Sequence, residues 1–186
     1  MAEKVYLSFG RHERYGFDTP ILREDMVAAY LTGLQLKQVL PPCSTVYHSP
    51  LERAAETARF EALGMNCSHL LETEFLIEDA PKFTIQKFVN NIIANTDSSV
   101  HYYHFVTHLP VVEKLGLPFL GAGDVCLLTA DTWADMLAEN FGVQVIHRPE
   151  IEAFLWTQFK KTSEDLDPLT SDAIYNLLQN IKEIFS

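Results

Sequence analysis

Short β-type apolar runs alternate with segments of helical periodicity along most of this chain, and no other feature of the sequence constrains the fold as strongly. The predicted strands cover about residues 4–9, 45–48, 66–71, 100–107, 125–130 and 143–147. Helical spacing occurs between them at about residues 26–34, 49–64, 84–95, 109–117 and 132–140. Strands that alternate with helices form mostly parallel sheets. The sequence therefore predicts an α/β fold, a three-layer αβα sandwich with a mostly parallel central sheet.

Length and composition are those of a globular protein with one core. The chain has 186 residues, of which 47% are hydrophobic and 21% charged. We therefore predict a single domain over residues 1–186, because no repeat, low-complexity run or linker interrupts the sequence. Two amphipathic patterns predict a C-terminal helical extension over about residues 150–186, and packing against the domain is the simplest role for it.

Charge and the lack of targeting signals limit the partners and the compartment. A net charge of -11 would repel nucleic acids and anionic membranes, so we expect neither as a partner. The sequence has no basic leader before an apolar stretch and no run of about 18 apolar residues. Cys43, Cys67 and Cys126 form no CxxC pattern, which favours free or buried thiols. We expect a cytoplasmic protein, and the sequence does not predict its oligomeric state.

The first apolar run ends abruptly at Arg11 and His12. Residues that follow a buried strand lie at the carboxyl edge of the sheet, where open α/β sheets bind ligands. A neutral imidazole can attack phosphorus, and a guanidinium offers a fork of donors that matches phosphoryl oxygens. Phosphate chemistry is therefore one interpretation, although such a pair is also found in loops that are merely charged.

Two further predicted strands are followed at once by polar side chains. Ser49 to Glu52 has the S-x-x-E pattern of a helix capping box, which places Arg53 in the first turn of a helix. His108 ends the strand at 100–107 in the same way. Both have simpler interpretations, since Arg53 could pair with an acidic residue on an exposed face and a single histidine often caps a helix or packs in a core.

A metal site is not expected. His104 and His108 are four residues apart, but on an extended strand this spacing spans about 13 Å, too far for one ion.

Together, three stretches resemble the histidine phosphatase superfamily, whose fold is phosphoglycerate mutase-like. They are GRHER, YHSPLERAAETA and FVTHLPVV, in the order and spacing of that family. The similarity covers about residues 4–130 and is to the short branch, that of bacterial phosphohistidine phosphatases. It implies that His12 is the nucleophile that becomes phosphorylated. The phosphate-binding residues that it implies are Arg11, Arg53 and His108.

The resemblance implies a phosphatase that transfers a phosphoryl group to His12 and then to water. The substrate would be a phosphohistidine protein or a small phosphomonoester, and no metal or organic cofactor is required. Phosphomutase activity is less expected, because no large insertion lies between Arg53 and His108. Attack requires a neutral His12 whose other ring nitrogen donates to a carbonyl or carboxylate, and the sequence does not identify that acceptor.

The resemblance also implies a carboxylic acid that protonates the leaving group. The candidates in the acidic segment after the third strand are Glu72, Glu74, Glu78 and Asp79. Glu72 lies in an L-L-E sequence that is similar to the L-x-E of the family, so it is preferred over Glu74. An acidic loop with no catalytic role fits the sequence equally well.

One residue departs from the family pattern at the centre of the site. Glu13 stands where the family usually has glycine after the nucleophile, and a carboxylate there could repel a bound phosphate. The alternative function is therefore a phosphate-binding, catalytically impaired protein. If Glu13 points to solvent instead, its substitution should have little effect.

Overall fold

The structure is a computed structural model that describes residues 4–14, 20–159, 161–166 and 168–184, with side chains up to residue 180. The strands β1 to β6 are Val5–Arg11, Thr45–His48, Leu70–Glu72, Tyr102–Thr107, Val125–Ala130 and Gly142–Ile146. The α-helices α1 to α7 are Arg23–Val39, Glu52–Met65, Lys82–Ala94, Leu109–Lys114, Trp133–Leu137, Glu152–Phe159 and Ser171–Ile184. Two short 3-10 helices are Glu74–Leu76 and Ser163–Leu166. The predicted alternation of strands and helices is confirmed.

The strands form one six-stranded sheet in the order β3-β2-β4-β1-β5-β6. The pairs β3–β2, β2–β4 and β4–β1 are parallel, whereas β5 is antiparallel to both β1 and β6. The prediction of a mostly parallel α/β sheet is therefore confirmed, with β5 as the reversed strand.

Helices cover both faces of the sheet because strand residues alternate between two apolar clusters. Phe9 and Phe105 stack with ring centroids 4.8 Å apart and belong to the cluster that includes Ile85 of α3. Val46 and Val106 belong to a second cluster, which includes Ala58 of α2. All of these side chains are buried, so the central strands are apolar on both faces, as expected for strands covered by helices on each side.

The parallel register sets the position of the polar edge. Arg11, the last residue of β1, pairs with Thr107, the last residue of β4. The residues that follow, His12 and His108, therefore leave neighbouring strands at the same level. Glu52 starts α2 only a few residues after β2 ends, so the beginning of this helix lies at the same edge.

The C-terminal helices pack on the face that α1 and α2 cover. Leu155 of α6 and Leu178 of α7 are fully buried in a cluster with Met26, Tyr30 and Phe60. The extension therefore completes an apolar core, which accounts for its amphipathic patterns. Within the described ranges, no helix is both long and apolar enough to span a membrane.

The helices α1 and α2 approach each other closely through two glycines. A β-carbon at Gly33 would lie 2.1 Å from the carbonyl oxygen of Glu61, and one at Gly64 would lie 2.2 Å from that of Tyr30. Neither position can accept a side chain unless the backbones move apart. Helix packing at this distance therefore depends on the absence of two methyl groups.

We predict that Gly33→Ala lowers the free energy of unfolding by about 1–3 kcal/mol, because the added methyl group overpacks a rigid helix contact. Gly142→Ala is the matched control, since its β-carbon would lie 3.9 Å from the Thr129 carbonyl oxygen, at ordinary contact distance. Urea unfolding of both variants measures the difference. Equal stability of the two variants would contradict the close helix contact.

Candidate active site

His12 follows β1 directly and is almost fully buried. Its backbone N–H donates to the carbonyl oxygen of Thr107 at 2.9 Å, which holds it beside the end of β4. Its ring Nδ1 is 2.6 Å from the carbonyl oxygen of Glu13. A carbonyl oxygen only accepts, so Nδ1 carries the proton and Nε2 keeps its lone pair. The acceptor that the sequence did not identify is thus the backbone of the next residue.

The protonation of His12 suits a nucleophile. Burial lowers its pKa, the hydrogen bond to Glu13 opposes this effect, and the charges of Arg53 and Arg11 lower it further, from 6.5 to about 4. The imidazole is therefore neutral near pH 7, with the lone pair of Nε2 available.

Arg53 lies in the first turn of α2, and its guanidinium faces His12. Its Nε donates to His12 Nε2 at 3.2 Å, and its Nη2 forms an ion pair with the carboxylate of Glu78. Both contacts are long-range in sequence and meet at one guanidinium. Arg53 thus places a positive charge next to the nitrogen that carries the lone pair.

His108 is the buried residue that precedes α4. Its ring centroid is 5.0 Å from that of His12, and its Nε2 is 2.8 Å from the hydroxyl oxygen of Ser49. Burial, followed by the charges of His12 and Arg53, lowers the pKa of His108 to about 3. Two neutral histidines therefore lie side by side at the edge of the sheet.

The predicted capping box at Ser49 is wrong. No side chain caps the start of α2, and the Ser49 hydroxyl instead contacts His108 and accepts from the Leu51 N–H at 3.3 Å. The contact with His108 joins residues 59 positions apart and cannot be read from a local motif. Ser49 is thus a site residue that sequence reasoning assigned to helix capping.

Arg11 lies at the end of β1, where its Nη1 donates to the Leu120 carbonyl oxygen at 2.9 Å. Its Nε is buried and has no hydrogen-bond partner among the described residues. The same holds for His108 Nδ1, which is 3.4 Å from a Glu78 oxygen without the geometry of a hydrogen bond. A buried guanidinium N–H without a partner is rare in folded proteins and is suited to an anionic ligand.

The structure separates the acidic candidates. Glu72 is exposed at the end of β3, and within the described residues its side chain makes no contact with His12, Arg53 or His108. Glu78 is the carboxylate that reaches the site, because it contacts both Arg53 and His108. Its L-x-E context gave Glu72 the preference, but Glu72 lies on β3, the outer strand of the sheet, where it pairs with His48.

Polar contacts with β4 and with α4 hold the segment that carries Glu78. Thr107 donates its hydroxyl to the Leu76 carbonyl oxygen at 2.8 Å. The ammonium group of Lys114 donates to the carbonyl oxygens of Glu78 and Ala80, at 2.6 and 3.0 Å. Leu76 is fully buried, so this acidic segment is anchored in the core instead of lying over the surface as a polar loop.

Glu13 lies neither in solvent nor free in the site. Its carboxylate is buried, its Oε2 accepts from Arg148 Nε at 3.0 Å, and Gly123 lies against it. A β-carbon at Gly123 would be 2.4 Å from Glu13 Oε1, so only glycine leaves room for the carboxylate. The backbone N–H of Glu13 donates to the hydroxyl oxygen of Thr57 at 3.1 Å. The Glu13 side chain therefore takes neither of the two expected directions and forms a buried ion pair.

The Glu13 ion pair belongs to a larger buried network of charges. Arg148 also pairs with Asp25 of α1, which in turn accepts from Arg14 Nε at 2.8 Å. Burial raises the pKa of Glu13 well above its usual value, Arg148 lowers it, and the charge of Asp25 raises it. Arg148 therefore supplies the positive charge that a buried carboxylate at this position requires.

One set of side chains has the spacing of a metal site. A Glu78 oxygen and one nitrogen each of His12 and His108 lie within 4.8 Å of one another, and no other such group of three occurs in the part of the chain that the structure describes. Two histidines and a carboxylate can ligate Zn²⁺. However, Arg53 bonds to both His12 and Glu78, and its charge would repel a cation at that point. The electrostatics favour an anion.

Comparisons with known proteins agree with this fold. No protein-family model matches the sequence, and no curated protein is similar enough to count as a match. Among solved structures, a SixA protein histidine phosphatase complexed with tungstate is 16% identical, with a TM-score of 0.63 over 77% of this chain and 97% of the other.

Two further solved structures give the same result. A candidate phosphohistidine phosphatase SixA from Nakamurella multipartitia is 18% identical, with a TM-score of 0.61 over 80% of this chain and 99% of the other. A mycobacterial glucosyl-3-phosphoglycerate phosphatase is 11% identical, with a TM-score of 0.56 over 80% and 100%. The chain therefore has the fold of the histidine phosphatases.

We predict that the His12 imidazole titrates near pH 4, because burial and two guanidinium groups oppose its protonation. NMR of ring-labelled histidine measures this pKa, and His12→Asn identifies the resonance. Arg53→Met should raise the pKa of His12, since it removes one of the opposing charges. A His12 pKa near 6.5 in the wild type would contradict the buried, neutral imidazole.

We predict that Arg148→Met lowers the free energy of unfolding by about 2–3 kcal/mol, somewhat less than for a fully buried pair because Arg148 is partly exposed. Without Arg148 the pKa of Glu13, already raised by burial, rises further, and the folded state then favours the protonated carboxyl. The loss should therefore be larger at pH 8 than at pH 5.

Urea unfolding at both values of pH measures the effect of Arg148→Met. The control is the double variant Glu13→Gln with Arg148→Met, which removes the buried charge and should lose much of the pH dependence. A loss of stability that is the same at pH 5 and pH 8 would show that Arg148 acts through packing alone.

Proposed function

We propose that this protein is a phosphohydrolase that forms a phosphohistidine on His12. One observation carries the proposal: the Nε2 lone pair of a buried neutral histidine faces Arg53, beside a second neutral histidine and a buried arginine donor. Burial makes these charges and donors effective, because little water competes with them. The fold supports the proposal, since the similar structures include proteins described as histidine phosphatases.

In the first step His12 Nε2 attacks phosphorus in line with the leaving group. Arg11, Arg53 and His108 hold the equatorial oxygens, whose charge the two guanidinium groups offset. The Glu13 carbonyl oxygen keeps the proton on Nδ1 and stabilises the positive charge that the ring acquires. Water then attacks the phosphohistidine, and the same residues hold the phosphoryl group as it leaves His12.

Glu78, instead of Glu72, is our candidate for the general acid. Its carboxylate makes the contacts that a phosphoryl oxygen would make, with Arg53 and His108. A bound phosphoryl dianion repels this carboxylate, and a proton taken up by Glu78 removes the repulsion. The protonated carboxyl is then placed to protonate a leaving alkoxide.

The impaired, binding-only alternative loses its main argument in this geometry. It depended on a Glu13 carboxylate that would repel phosphate, but the carboxylate is buried against Gly123 and paired with Arg148. We therefore place turnover ahead of binding alone. A phosphomutase is still the least favoured function, because no large insertion lies between Arg53 and His108.

A phosphohistidine protein and a small phosphomonoester both fit this mechanism. They differ in the need for an acid, because an imidazole leaves more easily than an alkoxide. We therefore propose phosphorylated compounds as the partners of this site, with the dependence on Glu78 as the property that separates the two substrate classes.

We predict that His12→Asn abolishes hydrolysis of p-nitrophenyl phosphate, of glycerol phosphate and of a phosphohistidine peptide. Glu78→Gln should lower kcat for glycerol phosphate by about 10²-fold, because an alkoxide needs the proton. The loss for p-nitrophenyl phosphate should be much smaller, since nitrophenolate leaves without help. Steady-state kinetics on the three compounds measures these effects.

Glu72→Gln is the matched control, because it makes the same chemical change at an exposed carboxylate. We expect kcat within about twofold of the wild type on every substrate, as for exposed charges far from the chemistry. Turnover by His12→Asn would exclude the phosphohistidine mechanism. A loss in Glu72→Gln but not in Glu78→Gln would assign the acid to Glu72.

A further inference from the structure

Two of the three cysteines lie at matching positions just before neighbouring strands. Val46 of β2 pairs with Leu70 of β3 in parallel register, and Cys43 and Cys67 each lie three residues before that pair, outside the strands themselves. Both belong to the apolar cluster that contains Val46 and Leu70. The strands that they lead into are about 4.8 Å apart, within the range of Cα separations that a disulfide spans. The two cysteines lie at the amino ends of these strands, whereas His12 follows the carboxyl end of β1.

The side chains of this pair also match. The Cys43 thiol donates to the Thr45 carbonyl oxygen at 3.4 Å, and the Cys67 thiol donates to the His69 carbonyl oxygen at 3.6 Å, each two residues further along the chain. Each thiol is the largest cause of the other's pKa shift, because the two side chains lie close together. Both cysteines are reduced in this structure.

Reagents can approach the pair from two clefts. Cys43 lines a cleft of about 240 Å³ beside Pro42 and Tyr102, and Cys67 lines a second, of about 270 Å³, beside Ser68. The neighbouring Cys43 thiol lowers the pKa of Cys67 to about 6, which favours a thiolate there. Cys126 differs in both respects, since it is fully buried and burial raises its pKa to about 11.

We propose that Cys43 and Cys67 form a modification site, a dithiol that low-molecular-weight disulfides such as oxidised glutathione convert to an intramolecular disulfide. The Cys67 thiolate attacks one sulfur of oxidised glutathione, forming a mixed disulfide and releasing one glutathione thiolate. The Cys43 thiol then loses its proton and attacks the Cys67 sulfur, releasing the second glutathione. Two protein thiols are oxidised, and one glutathione disulfide is reduced to two thiols.

The disulfide would close a loop that contains β2 and all of α2. It would join Cys43, two residues before the strand, to Cys67, the residue after the Asn66 cap of the helix. A cross-link of this kind restricts the unfolded chain, so the oxidised protein should unfold at a higher temperature than the reduced protein. This effect is independent of the phosphatase activity proposed above.

The experiment treats the folded, full-length protein with oxidised glutathione, blocks free thiols, and measures intact mass, disulfide-linked peptides and Tm. We expect the loss of two hydrogens, a peptide that joins Cys43 to Cys67, a higher Tm, and reversal of all three by dithiothreitol. Cys126→Ser is the matched control and should behave like the wild type. A protein in which Cys43 and Cys67 both stay free, or are cross-linked only between molecules, overturns the proposal.

Single variants test the order of the steps. In Cys43→Ser the mixed disulfide on Cys67 cannot be resolved, so one glutathionyl group should remain attached, whereas Cys67→Ser should react more slowly. Should either variant fail to fold, reduced wild type provides a second test with phenylarsine oxide, which binds two adjacent thiols and releases water. Loss of both Cys43 and Cys67 thiols in one adduct supports the pair, and single-thiol or no reaction overturns it.

Discussion

The parallel register between β1 and β4 is the constraint on which the rest of the site depends. It pairs Arg11 with Thr107, and the hydrogen bond from the His12 N–H to the Thr107 carbonyl oxygen extends the pairing by one residue. A shift of one residue would turn each side chain of β1 to the other face of the sheet. His12 and His108 would then no longer lie with their rings 5.0 Å apart. The packing of particular side chains of both strands into the clusters on the two faces opposes such a shift, so core packing and site geometry have the same cause.

Burial shifts the pKa values of two neighbouring residues in the loop after β1 in opposite directions. It keeps His12 neutral, which leaves a lone pair for chemistry. At Glu13 the same burial opposes ionisation, and Arg148 and the surrounding charges offset it. The loop can therefore hold a carboxylate beside His12 only because a residue from the C-terminal part of the chain reaches it. The helices α6 and α7, which pack on the face that α1 and α2 cover, follow Arg148 in the sequence.

Much of the fold and part of the site follow from local patterns. The periodicities predicted the order of strands and helices, because each buried face repeats at the spacing of its own element. The prediction that His12, Arg53 and His108 share an edge needed only the rule that parallel strands end at the same side. These residues follow β1, β2 and β4. Because these three strands are parallel neighbours in the sheet, the residues that follow them lie at the same edge.

What the sequence by itself determined was therefore the class of the fold, the edge that carries the site, and the residue types at three strand ends. Only the tertiary structure decided which carboxylate reaches Arg53, what Ser49 contacts, which group orients His12, and where the Glu13 side chain lies. Local patterns report the period of one element, whereas most of these contacts join segments far apart in the chain. Arg148 and Glu13 are 135 residues apart, so no motif or spacing contains their contact. They come together only in the folded sheet, where the antiparallel strands β5 and β6 lie next to β1 and Arg148 follows β6.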